Sequence, residues 1–266
     1  MIYLGVLGRL AGIKCPASQN VSHGDRYSFD TTLEGRVKAQ AKPVARRSWT
    51  LQTSDATTPA QVSALMDIVN GAWGVGPFVF VSAEAPVTNL LSPRAGALDP
   101  AMLDVSATIS GPVLTPAGRF GRSVRHGTGE ELLFSTEKTS VLPGEWVTGS
   151  CYADGTGAKV RIRFFNGSGV PLTQATSIET TNPGAMTRLT VSLKAPATAA
   201  YCELYGVDGV SFAAPCITWT QEAYPYAPGA GCPKAVVDSV SSGIVLAARE
   251  PGRQYQNMSF TITEVG

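Results

Sequence analysis

Aromatic and charged side chains alternate with apolar ones along Trp146–Ala153, Lys159–Phe165 and Tyr201–Tyr205. A strand repeat of two sends successive side chains to opposite faces. Val147, Cys151, Val160, Ile162, Phe164, Cys202 and Leu204 make one apolar set, which places Trp146, Thr148, Tyr152, Arg161, Arg163, Tyr201, Glu203 and Tyr205 on the other face. Rings beside planar charged groups are what a sugar requires, since its C–H faces stack on rings and its hydroxyls take hydrogen bonds. Trp146, Tyr152, Arg161, Arg163, Tyr201, Glu203 and Tyr205 are therefore the candidate ligand-binding residues. The same pattern suits ordinary exposed strand positions or contacts to a neighbouring subunit, and both alternatives stay open at this point.

Acid–base and covalent chemistry find little to use. His23 and His126 are the 2 histidines of the chain, too few for a histidine triad or a multi-histidine metal site. Both read as unremarkable, His23 in a loop and His126 just after the alternating Arg119–Arg125. Glu130 and Glu131 are adjacent and read as a solvated turn. Two glycosidase carboxyls must instead face a sugar from opposite sides, about 5 to 9.5 Å apart. Gly127-Thr128-Gly129 and Gly229-Ala230-Gly231 lack the third glycine and the helix that phosphate cradling needs. The 5 cysteines, Cys15, Cys151, Cys202, Cys216 and Cys232, are odd in number and hold no Cys-x-x-Cys pair. That disfavours a closed disulfide framework and a zinc site. Cys151 and Cys202 fall on apolar strand positions and read as buried thiols. No catalytic activity, metal or cofactor is expected.

The composition points to the elements that must position these groups. Charged residues make 15% of 266, with 28 Gly and 18 Pro, against about 25% charged in an average soluble protein. Such a chain suits turn-rich β structure and not a helical bundle. The formal net charge is +1, without the basic field that non-specific nucleic-acid binding requires. No run approaches the roughly 18 apolar residues of a membrane span. Met1–Leu7 has no basic region ahead of its apolar residues and reads as a strand, so synthesis in a cytoplasm without export is expected.

Period-two patterns also cover Arg46–Thr53, Phe78–Val81, Arg188–Lys194, Gly243–Ala248 and Tyr255–Val265, with turn signals such as Asp154-Gly155 and Asn166-Gly167 between strands. One short helix is predicted. Thr58-Pro59-Ala60-Gln61 offers a cap, a proline at the first position and a capping-box glutamine; Val62, Leu65, Met66 and Val69 form its apolar stripe, and Gly71 ends it. Composition breaks at Ala83–Val87 and at Tyr224–Pro233 bracket enough chain for a complete domain. The tail after Pro233 is too short to fold alone and needs a sheet to join. The expected architecture is all-β: a discontinuous domain, 1–86 with 227–266, carrying a second domain, 87–226, inserted at a loop.

Arg47-Ser48-Trp49-Thr50-Leu51, the helix, Gly74–Val81 and the closing Ser259–Gly266 together resemble minor tail proteins of long-tailed bacteriophages of actinobacteria, related to distal-tail proteins. The resemblance covers roughly residues 40–86 and 233–266. It implies a tail-tube-type β-barrel arranged in a ring with other copies of itself, next to tube and tip or baseplate proteins, in the tail of a virion made in the host cytoplasm. The basic cluster Lys38, Lys42, Arg46 and Arg47 would then line a lumen that DNA passes without specific binding, or else form a solvated face.

The insert resembles family-4/9-like carbohydrate-binding modules, which are jelly rolls. Val141–Tyr152, Val160–Gly169, Thr187–Pro196, Tyr201–Tyr205 and Cys216–Trp219 carry the likeness. It implies attachment to host cell-wall glycan. Ser211-Phe212-Ala213-Ala214-Pro215 stands where those modules have an Asp-rich stretch, so no calcium is implied. The alternative is a stand-alone glycan-binding module of bacterial origin.

Overall fold

The computed structural model describes every residue except 15–17, 26, 42–45, 56, 104–107, 116–119, 126–130, 182–183, 209–210 and 248–253. Cys15, Lys42, Arg119, His126, Gly127-Thr128-Gly129, Glu130 and Ala248 therefore lie outside the described residues. The chain is nearly all β. Its first part runs β1 (Ile2–Val6), β2 (Arg9–Ile13), β3 (Ser18–His23), β4 (Tyr27–Thr31), β5 (Val37–Ala41), β6 (Arg47–Gln52), helix α1 (Pro59–Val69) and β7 (Phe78–Val81). Next come the single turn α2 (Pro93–Gly96), β8 (Thr108–Leu114), β9 (Phe120–Arg125), β10 (Glu131–Leu133), β11 (Thr139–Ser140) and β12 (Trp146–Asp154). The rest is β13 (Lys159–Phe165), β14 (Pro171–Thr176), β15 (Thr187–Lys194), β16 (Tyr201–Val207), β17 (Ser211–Thr218), β18 (Cys232–Ala247) and β19 (Gln254–Glu264). Two compact units result: unit 1 is Met1–Gly5, Ala11–Phe78 and Lys234–Gly266, and unit 2 is Val6–Leu10 and Val79–Pro233.

In unit 1, β18, β19, β6 and β3 lie side by side. Trp49 and Leu51 of β6 face Ile262 and Phe260 of β19 in register, and all four are buried. Helix α1 packs against β19 through Val62, Leu65 and Ile68. The Gln61 side chain accepts from the Thr58 N–H at 2.8 Å, and Gly71 takes the left-handed conformation that ends the helix. The buried stripe is thus 62, 65 and 68, while Val69 is exposed. The one-helix expectation also misses α2, where Ser92 caps with its side chain accepting from Ala95 N–H. Arg47 is a correction as well. Its guanidinium makes two bonds to the Glu264 carboxylate, at 3.0 and 2.9 Å, lies 4.9 Å from the Trp49 ring and is buried, so it lines no lumen. Burial of a cation demands such a partner.

Unit 2 is a sandwich of two five-stranded sheets. One orders β10-β16-β13-β14, with β11 also pairing β16, and the other orders β15-β12-β17-β9-β8. The apolar set Val147, Cys151, Val160, Ile162, Phe164, Cys202 and Leu204 is buried between them. The sheets approach closely at two glycines: a Cβ on Gly149 would stand 2.3 Å from Leu204 Cδ1, and one on Gly206 2.8 Å from the Phe212 ring. Pro215 is accommodated in β17 because the pairing with β12 shifts register around Cys151, and a proline inside a sheet needs such a bulge. Burial raises the Cys151 and Cys202 thiols well above their ordinary range and pushes Cys216 up to about 11, so none is a ready nucleophile.

Asn89 ties the two ends of unit 2 together. Its amide donates to Pro215 O at 3.1 Å and Ala227 O at 3.0 Å, while its side-chain oxygen accepts from Leu91 N–H at 3.1 Å and Ile217 N–H at 3.2 Å. The residue is fully buried, at 0% exposure. Beside it Ala230 N–H donates to Asn89 O and Gly231 N–H to Leu91 O, both at 2.9 Å. Gly231 has to be glycine, since a Cβ there would lie 1.8 Å from Leu90 O. Asn89→Ala leaves four backbone groups without a partner in a dry site. Each such group costs about 1 to 3 kcal/mol, so a loss of at least about 3 kcal/mol is expected in the urea unfolding of unit 2. Asn89→Asp should fail similarly, because a carboxylate cannot donate to the two carbonyls.

Candidate functional site

The outward face of the β10-β16-β13-β14 sheet gathers most of the candidate residues. Register sets Arg161 opposite Tyr205 on one side and Thr176 on the other, and Arg163 opposite Glu203 and Gln174. Glu131 opens β10 and reaches both arginines: Arg161 Nη1 donates to its Oε1, and Arg163 Nη2 donates to both of its oxygens at 3.2 Å. Arg161 Nε donates to Thr176 Oγ1 at 3.0 Å, and Arg163 Nε to Gln174 Oε1 at 2.9 Å. The Arg163 guanidinium also lies over the Tyr205 ring, 4.9 Å from its centroid. These groups are held in place yet reach solvent, with side-chain exposures of 21% for Arg161, 25% for Arg163 and 34% for Glu131.

The tyrosines are underneath rather than on top. Tyr205 is buried, and its phenol donates to Glu203 Oε2. Its acidity is suppressed well beyond the usual tyrosine range, first by burial and then by that bond to a carboxylate. Tyr201 is buried as well, stacked on Phe165 at 4.9 Å with the Lys138 ammonium 4.7 Å from its centroid. The expected stacking surface of exposed Tyr201 and Tyr205 rings is therefore corrected. The Tyr205 ring serves as a floor under the Arg163 guanidinium, whereas Tyr201 is covered by Phe165 and Lys138.

Trp146 and Tyr152 are corrected further, because they lie on β12 in the opposite sheet. Tyr152 is buried with Ala213 and Ala214, and Val113, Met186 and Tyr226 pack against that cluster. Coil after β17 paves the outside of this sheet: Thr148 Oγ1 donates to Thr220 O at 2.6 Å, Ser192 Oγ to Gln221 O at 2.9 Å, and Arg188 Nη2 to Tyr224 O. Trp146, at the strand's end, stays exposed at 37% but far from this ladder in strand order. Strand alternation tells which face a side chain takes but not which sheet its strand joins. Glu131, read as part of a solvated turn, is the residue that sequence reasoning missed. Its role depends on β10 pairing with β16, for which the short Glu131–Leu133 segment carries no periodic signal.

No protein-family model matches the chain, and no curated protein matches it. Among solved structures it is similar to the enzymatically active domain of tailspike protein 4 of bacteriophage CBA120, at 14% identity over 53% of this chain and 22% of that one, with a TM-score of 0.40. It is also similar to the CBM22-1 and GH10 modules of the Clostridium thermocellum xylanase 10B complexed with xylohexaose, at 18% identity over 46% of this chain and 26% of that one, with a TM-score of 0.34. A third likeness is to TmCBM61 in complex with β-1,4-galactotriose, at 13% identity over 50% of this chain and 99% of that one, with a TM-score of 0.30. The chain thus spans about a quarter of the first two proteins it resembles. Among the described residues, no group of three or more His, Cys, Asp or Glu is placed to hold a metal ion.

The Tyr205–Glu203 contact has a pH signature. The native chain keeps the Tyr205 proton above about pH 10, where an unfolded tyrosine releases its own. The folded state then binds more protons, so its stability falls as pH rises through that region. Urea unfolding between about pH 9 and 11 should show this decline, less steep in Tyr205→Phe, whose spectrum should lack the late-ionising phenol.

Proposed function

We propose that unit 2 binds glycan, without chemical conversion, on the outward face of the β13 and β16 ladder. The observation that carries this reading is the lattice formed by Arg161, Arg163 and Glu131, whose planar groups are fixed by mutual bonds while remaining partly exposed, with the Glu203 carboxylate held beside it by the Tyr205 phenol. Pre-positioned planar donors and acceptors suit the paired hydroxyls of a sugar ring and lose little side-chain freedom on binding. The sugars in the similar structures are those proteins' own ligands. Glycan-array and host cell-wall binding should weaken about tenfold or more in Arg161→Ala or Arg163→Ala, the range expected for hydrogen bonds to charged groups. Trp146→Ala, on the other sheet, should bind as the parent does. Equal binding by all three variants and the parent would end this assignment.

A second observation favours assembly through unit 1 and, with it, the tail-tip reading over a stand-alone module. The β4–β5 hairpin pairs only within itself among the described residues. Register puts Tyr27, Phe29 and Val37 on one of its faces, exposed by 47%, 68% and 65%. Asp30 stands opposite Lys38 on the other face. Isolated two-stranded ribbons are marginal in water, and contiguous exposed apolar faces mark interaction sites. The occupant we assign is another copy of this chain joined head to tail, because the apolar face has no second layer from its own chain among the described residues and head-to-tail contacts are the ones that close into rings. This supports a ring-forming virion protein of a phage tail, beside tube and baseplate proteins, made in the host cytoplasm and enclosing DNA that it does not recognise. Sedimentation of the full chain should show oligomers that Phe29→Ser disperses. A parent chain that stays monomeric at high concentration would favour the stand-alone module.

A further inference from the structure

The outer face of the second sheet, paved by coil over β12 and β15, is left uncovered by the described residues at its β8 edge, and a cavity of about 490 Å³ lies there. That volume falls inside the roughly 300 to 1,000 Å³ of small-molecule sites. Its floor is set by register. Asp154 of β12, Ser211 of β17 and Arg125 of β9 stand opposite one another in one row, and Ser123 and Ser110 stand opposite each other in the next. Val113 and Met186 supply an apolar wall.

The ends of the row differ in charge. Asp154 Oδ1 already accepts from Gly155 N–H at 2.7 Å and Gly184 N–H at 2.6 Å, so its carboxylate is fixed and has acceptor capacity left for hydroxyls. Arg125 makes no ion pair with any described residue and is exposed. Two strand spacings separate them, about 10 Å at the usual 4.8 Å per strand. That is the length of one or two sugar rings.

We infer that this cavity is a second saccharide site, specific for an acidic sugar whose carboxylate or phosphate sits on Arg125 and whose neutral hydroxyls face Asp154 and Ser211. Val113 and Met186 take the apolar C–H face of the ring. A guanidinium without a carboxylate partner among the described residues selects an anion, the serine row selects hydroxyls, and the fixed carboxylate at the far end repels a second anion. The site shares no residue with the β13 ladder and stands whether or not that ladder binds glycan.

Calorimetric titration of the full chain tests it with four probes: a disaccharide ending in glucuronic acid, glucose 6-phosphate, cellobiose and inorganic phosphate. The same titrations run on Arg125→Gln and Arg161→Ala. At least one acidic sugar should bind about tenfold or more tightly than cellobiose and than phosphate, and whichever of the two binds better assigns the anion as carboxylate or phosphate. Arg125→Gln, an exposed change that should leave thermal unfolding unaltered, should remove that preference, and Arg161→Ala should keep it. The assignment is overturned if neither acidic sugar binds, if phosphate alone binds as tightly, if Arg125→Gln binds unchanged, or if Arg161→Ala abolishes the preference. Loss of neutral-glycan binding in Arg161→Ala alone concerns the ladder and leaves this cavity standing.

Discussion

The long segment Val79–Pro233 of unit 2 enters and leaves its sandwich at one place, where one buried amide holds the two ends together. Asn89 satisfies two carbonyls and two N–H groups from three separate segments, so the entering chain, β17 and the returning coil are fixed by one side chain. Gly229 and Gly231 let the returning backbone lie against Leu90–Ser92 at distances that any side chain would close off. A fully paired polar group in a dry site rigidifies what it joins, because each alternative arrangement strands a donor or an acceptor. The two sheets can then be regular, since irregular chain is collected at one closure.

That returning coil also decides which sheet face is available. Thr220–Tyr224 covers the outside of β12 and β15 by taking hydrogen bonds from Thr148, Ser192 and Arg188. The opposite sheet keeps its outer face, and there the chain spends its charge on order: Glu131 holds two guanidiniums, and Glu203 holds the Tyr205 phenol. Where the coil ends, the β8 edge opens into the cavity that contains Arg125 and Asp154. Two polar surfaces of different charge character thus lie on opposite sheets of one sandwich.

Unit 1 follows a different economy. Its paired strands β6 and β19 bury alternate side chains, and the buried cation Arg47 is matched by Glu264 and laid over Trp49. The hairpin β4–β5 has the same alternation with nothing against its apolar face among the described residues. Identical local rules therefore produce a core in one place and an exposed apolar face in another, the difference being whether a second layer is supplied by the described residues of the same chain.

By itself the sequence determined the all-β class, the start and end of α1 and the buried side of β6, β13, β16 and β19, because these follow from local periodicity and capping. It determined the apolar set of β12, β13 and β16 residue by residue. The composition breaks near 83–87 and 224–233 were also legible, but they mark the Asn89 closure inside unit 2, and the units part at 5/6, 10/11, 78/79 and 233/234, all within strands. Only the tertiary structure decided that Trp146 and Tyr152 leave the arginine ladder, that Tyr205 lies beneath it while Tyr201 is covered by Phe165 and Lys138, and that Glu131 completes it. Those facts depend on strand order and on what covers a sheet. Both are contacts between residues far apart in the chain, and a repeat of two is blind to them because every strand obeys it whichever neighbour it takes.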